Sequence, residues 1–159
     1  MPTDLVFPGQ VLLGLITWGL LARWFLAPRL RDMPRERALQ PLLAVQAVRY
    51  IGLIFLAPAA TSPSLAQSFA IPAGLGTAIA GVLALLAIAA LRAHSPLAIP
   101  LTWTQTIEGL ADFANAFAQA RAAGVVAELG AAYYVPILIV PAAIVSHVMI
   151  LGLLLRGRA

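Results

Sequence analysis

The chain has 159 residues, of which 62% are hydrophobic and only 10% charged, with a formal net charge of +4; soluble domains run at roughly half apolar and a quarter charged. All ten Lys/Arg positions hold Arg, and there is no Cys. These counts exclude a lysine Schiff base, a disulfide, a thiolate metal site and a cysteine nucleophile, and the lack of a basic run among aromatics leaves nucleic-acid binding without a footing.

Such a composition predicts an all-α polytopic membrane protein, a single transmembrane domain over residues 1–159. A helix needs about 20 mostly apolar residues to cross the hydrocarbon core, and five segments approach that length, at approximately 7–28, 38–58, 70–91, 101–120 and 131–155. The opening "MPTDLVFPGQ" carries an acid and no basic stretch, so the first segment reads as a retained span rather than a cleaved signal. It offers Gln10, Gly14 and Thr17 on one side, and Arg23 reaches the nearby interface. Pro28 and Pro58 mark segment ends, and Pro41, Pro72 and Pro100 mark starts.

The second segment projects Gln46 and Arg49 to one side as an α-helix, with Leu53 between them and Gly52 flanking Arg49. In the third, Gly74, Gly76, Ala78, Ala80, Gly81 and Ala84 have the spacing that lets helices approach closely in lipid, so this helix is assigned to packing. The fourth, "TWTQTIEGLADFANAFAQA", departs from the rest. At 100° per residue, Gln105, Glu108, Asp112, Asn115 and Gln119 fall within an arc of about 80°, opposite Trp103, Ile107, Leu110, Phe113 and Phe117. A polar face of this kind must meet protein or water, never lipid. The fifth aligns Tyr133, Pro136, Val140, Ala143 and His147, and Pro136 and Pro141 free the carbonyls of Ala132 and Ile137, which predicts a kinked outer half.

The connections fix the expected topology. Arg29, Arg31, Arg35 and Arg37 lie between the first two segments, Arg92 and His94 between the third and fourth, and Arg156 and Arg158 in the tail. If all five segments cross, every Arg-rich piece falls on one side, which the positive-inside rule makes the cytoplasm. The expectation is a five-helix bundle with its N-terminus outside and its C-terminus cytoplasmic, in a membrane that the Ala-rich, Lys-free usage suggests is the bacterial inner membrane.

Counted inward from that side, Arg49 and Asp112 both lie ~16 Å deep. A lone charge at the helix centre costs about 2.5–3.5 kcal/mol on insertion scales, so the two are expected to pair. Glu108 stands one turn nearer the cytoplasm, level with Gln46 and His147. The candidate site comprises Glu108 and His147 as catalytic acid and base, with Gln46, Arg49, Asp112, Asn115 and Tyr133 as ligand-binding groups. No metal is expected, since Arg49 would repel a cation beside Asp112, Glu108 and His147; no motif calls for a cofactor. His94 reads as solvated.

Three functions fit this pattern. The first is an intramembrane cavity that binds, and by acid–base chemistry converts, an amphipathic or lipid-like small molecule. The second is a proton-linked carrier, disfavoured by the odd helix count and the lack of inverted halves. The third is a non-catalytic subunit, in a homo-oligomer or a larger membrane complex. In architecture alone, five helices around acid, His and Asn resemble compact intramembrane isomerases such as the sterol isomerase group, a likeness that carries over no residues.

Overall fold

A computed structural model describes residues 5–156. The first four residues and Arg158 of the basic tail lie outside that range. Among the described residues the structure is helical, with no strand. The long helical segments are α1 (Val6–Arg31), α2 (Arg35–Leu56), α3 (Gln67–Arg92), α4 (Ala98–Ala123) and α5 (Gly130–Leu155). Four of them, α1, α2, α3 and α5, are long and apolar enough to span a membrane, which makes this a multi-pass membrane protein. Helix α4 is as long as α3, 26 residues, but its polar side chains keep it out of that group.

Two apolar clusters define the ends of the bundle. One gathers Leu30 of α1, Leu39 of α2, Leu91 of α3, Ala98 of α4 and Leu154 of α5. The other gathers Phe55 of α2, Phe69 of α3 and Ala132 of α5, with Ala116 and Ala120 of α4 packed against it. Successive helices therefore run in opposite directions, and α4 runs the length of the bundle like its neighbours. The connections carrying Arg29 to Arg37 and Arg92 lie at the first end. At the second end the α2–α3 and α4–α5 connections are tied by Ser62 N–H to Glu128 O (2.9 Å) and Ala131 N–H to Ala60 O (2.7 Å). Gly124 caps α4 at φ 61°, and Gly130 turns at φ 54° where a Cβ would lie 2.6 Å from Ala60 O, positions suited to glycine on both counts.

Helix α3 buries Ala70, Ala73, Gly74, Thr77, Ala80, Gly81, Ala84 and Ala87, a three–four repeat. That stripe lets α2 and α4 pack closely on either side: a Cβ on Gly81 would meet Ala47 O at 3.1 Å. Its other face exposes Leu75, Ile79, Val82 and Leu86, as lipid contact requires. Between apolar helices in lipid the hydrophobic effect contributes little, so close packing and interhelical hydrogen bonds hold the bundle. Two such bonds join α2 to α5: Ser146 Oγ–H to Leu42 O (2.7 Å) and Gln46 Nε2–H to Ala143 O (2.9 Å).

Three local departures from α geometry matter. Pro28 does not end α1; a π-helical segment, Ala22–Leu26, absorbs the missing N–H and the helix continues to Arg31. In α5, a 3-10 turn (Gly130–Tyr133) and a π segment (Val135–Ile139) accommodate Pro136 and Pro141, so its first half is irregular, as the prolines predict. Here α1 packs, with Trp18 Nε1–H donating to Leu138 O (3.1 Å) and Gly14 so close to Ile137 O that a Cβ would lie 2.7 Å away. The third departure is in α2, where Val48–Leu56 is 3-10 helix. Burial there changes from Leu39, Leu42, Leu43 and Gln46 to Arg49, Gly52 and Phe55. A period of three replaces one of 3.6, and Leu53, expected beside Arg49, is exposed instead.

Candidate functional site

Arg49 is 2% exposed and sits where α2, α4 and α5 meet. One terminal nitrogen, Nη2, donates to Asp112 Oδ2 at 2.5 Å. The other, Nη1, donates to Gly109 O at 3.3 Å and lies 3.3 Å from His147 Nε2. The guanidinium also stacks over Phe113, its Cζ 4.1 Å from the ring centroid, and the His147 ring meets the same phenyl edge-on at 5.8 Å. A guanidinium only donates, so Nε2 of His147 accepts and the ring proton sits on Nδ1. The shared depth of Arg49 and Asp112 reappears in the fold: each stands the same number of residues from the first residue of its helix, Arg35 or Ala98.

Two glycines, Gly109 and Gly76, make room for this network, and a third, Gly52, makes room for Thr77 of α3. A Cβ on Gly109 would lie 2.6 Å from Arg49 Nη1 and 2.7 Å from His147 Nε2. One on Gly76 would collide with Asp112 Oδ1, and one on Gly52 with Thr77 Oγ1. Glycine inside a helix costs about 1 kcal/mol relative to Ala, so it marks a close approach. Gly109, in "EGLAD", and Phe113, assigned to the opposite face of α4, are site residues that sequence reasoning missed, and for Gly109 that cost was the available signal.

The predicted site residues divide. Gln46, Arg49, Asp112 and His147 are buried, and Arg49 joins Asp112 and His147 directly. Glu108 is half-buried, with Oε2 lacking a protein partner, and it makes no hydrogen bond to His147; His147 is held by Arg49. The cause is rotation of α4. Its buried face is Thr102, Gln105, Thr106, Gly109, Asp112 and Phe113, turned from the polar stripe by nearly one residue step of ~100°. Phe113 thereby joins the core. Glu108 and Asn115 fall on the flank, where Asn115 is exposed and accepts from Gln119 Nε2 at 3.1 Å. Tyr133 also lies apart. The 3-10 and π winding of the first half of α5 turns it to α1, where its hydroxyl donates to Gln10 Oε1 and its ring packs on Phe7 at 5.6 Å.

Unpaired polarity concentrates around the same point. Gln105 is fully buried, and neither its amide oxygen nor its nitrogen has a protein partner. Gln46 Oε1, Arg49 Nε and His147 Nδ1 are in the same condition. Thr102 and Thr106 instead donate to the carbonyls of Ala98 and Thr102, each at 2.8 Å. An unpaired buried polar group costs about 1–3 kcal/mol, so this is where the fold gives up stability.

Beside the network is an apolar cavity of about 240 Å³. Phe55, Phe69, Phe113, Val135 and Val140 form much of its wall, and Asp112 and Arg121 are its charged lining residues. Asp112, whose carboxylate is held by Arg49, thus also contributes to the wall of an apolar space.

Residues 6–155 match a family described as a domain of unknown function, DUF8737. The chain belongs to that family. No curated protein and no solved structure matches it.

Proposed function

We propose that this member of DUF8737 is an intramembrane binding protein for an amphipathic or lipid-like small molecule. The observation that carries the reading is the 240 Å³ apolar cavity with Asp112 in its wall. Drug-sized pockets run at ~300–1,000 Å³, so a small molecule or one segment of a longer one fits. Its apolar body lies among Phe55, Phe69 and Phe113, and its polar end is a hydrogen-bond donor, a hydroxyl or an amine, directed at Asp112. Arg49 keeps the carboxylate in place. Glu108 and His147, expected as acid and base, are not among the residues that line the cavity, so the proposal is of binding rather than conversion.

The reading has α4 crossing the membrane with the four apolar helices, N-terminus outside and the Arg-rich end cytoplasmic. The opposed directions of successive helices support it, as does the gathering of the arginines at one end. The membrane is taken to be a bacterial inner membrane on composition.

Filling the cavity tests the proposal. Ala116, in the cavity wall and partly buried, is replaced by Phe, and lipids and small molecules copurifying in mild detergent are compared by mass spectrometry. The wild type is expected to carry a defined molecule that Ala116→Phe lacks, with the thermal unfolding of the two alike. Equal amounts of the same molecules in both proteins would overturn the proposal.

A second reading, a subunit of a homo-oligomer or larger complex, is favoured by one feature. Thr104, Ala111, Asn115, Ala118 and Ala122 are exposed along α4 at alternating four- and three-residue spacing, with half-buried Glu108 among them. A small and polar seam of this kind suits a neighbouring helix better than lipid.

A further inference from the structure

At the Arg-rich end, a second hollow of about 660 Å³ opens between the foot of α1, the α1–α2 turn and the last turns of α5. Its lining is divided by chemistry. Leu30, Val148, Met149 and Leu153 form an apolar cleft between α1 and α5, and Gly152 faces open space. Arg31, Arg35 and Arg156 stand around it, against a single acid, Glu36. Arg35 reaches Glu36 only at 3.8 Å, and its buried Nε has no protein partner. Among the described residues neither Arg31 nor Arg156 has an ion-pair partner. Arg29 belongs to a different arrangement, its Nη1 donating to Phe25 O at 2.6 Å.

Guanidinium groups above an apolar cleft at the end of membrane-crossing helices match one class of ligand, a phosphate attached to acyl chains. We propose that this hollow binds the headgroup of an anionic phospholipid, its phosphate among Arg31, Arg35 and Arg156 and one acyl chain along the α1–α5 cleft. The site is separate from the cavity at Asp112, and neither depends on the other. It gives α1, which has no buried residue before Leu30, a lipid-mediated link to the rest of the bundle.

The test uses the full chain in detergent and native mass spectrometry, titrating phosphatidylglycerol and phosphatidylcholine of identical acyl chains. Phosphatidylglycerol is expected to bind more tightly by at least about fivefold, since an arginine near an anionic headgroup contributes about that factor. Arg31 and Arg156 are exposed, so the Arg31→Gln/Arg156→Gln double variant is expected to fold normally and to lose most of that preference, Arg35 alone remaining. Arg92→Gln, which removes a charge from the same end without touching the hollow, is expected to keep the preference. Equal binding of both lipids by the wild type would overturn the proposal, as would an equal loss in Arg92→Gln, the mark of diffuse attraction. Inorganic phosphate stabilising the protein as much as phosphatidylglycerol would overturn it too, in favour of a soluble phosphate compound.

Discussion

Arg49→Ala and Asp112→Ala are each expected to destabilise the protein by about 3–5 kcal/mol, and the double variant by less than their sum. The two side chains are 1% and 3% exposed and bonded at 2.5 Å. Removing either leaves a charge in a low-dielectric interior, and that unpaired charge rather than the lost bond dominates the cost. Arg49→Ala also strips donors from Gly109 O and His147 Nε2 and the cation from the Phe113 ring. It should therefore be the worse of the two. The double variant still lacks those contacts, so its recovery is partial. Reversible unfolding in detergent measures the cycle; strictly additive losses would show that the pair does not interact.

Gly109→Ala is expected to cost about 1–3 kcal/mol although Ala is the better helix former by about 1 kcal/mol. The added methyl would lie 2.6 Å from Arg49 Nη1 and 2.7 Å from His147 Nε2, both on side chains that are themselves fully packed. Arg49 cannot yield without disturbing its bond to Asp112, nor His147 without losing its contact with Arg49. Gly19→Ala in α1 is the matched control, because nothing lies within 4 Å of the position a Cβ would take. It should be neutral or slightly stabilising. The two variants unfolding at the same temperature would mean that Gly109 is not needed for the approach of α4 to Arg49 and His147.

Helix positions and the Arg49–Asp112 partnership were legible in the sequence because they depend on length, hydropathy and depth, which a rise of ~1.5 Å per residue makes countable. The azimuth of a side chain was not. Asp112 and Phe113 are both buried though they sit on opposite sides of the polar–apolar boundary drawn from α4 alone. What turned the helix was the partner surface, the glycines of α3 and the guanidinium from α2. Leu53 fell outside the core because α2 tightens to a 3-10 helix from Val48, and nothing in "VRYIGLIFL" announces a nine-residue stretch of that kind. Tyr133 was misplaced for a related reason. Prolines 136 and 141 signalled irregular winding, but not that it would turn the ring to α1. Asn115 kept its place on the stripe while the stripe itself moved to the flank.

Everything proposed for the Arg49 network and the adjoining cavity presumes that α4 crosses the membrane. Single cysteines on either side of it test this, and the chain has none of its own to confuse the labelling. Ala93 lies just before α4 and Ala127 just after it, and both are exposed. In intact cells an impermeant maleimide is expected to label Ala127→Cys and to leave Ala93→Cys unlabelled until the membrane is opened. Labelling of both positions from the same side would place α4 along the surface and contradict the account.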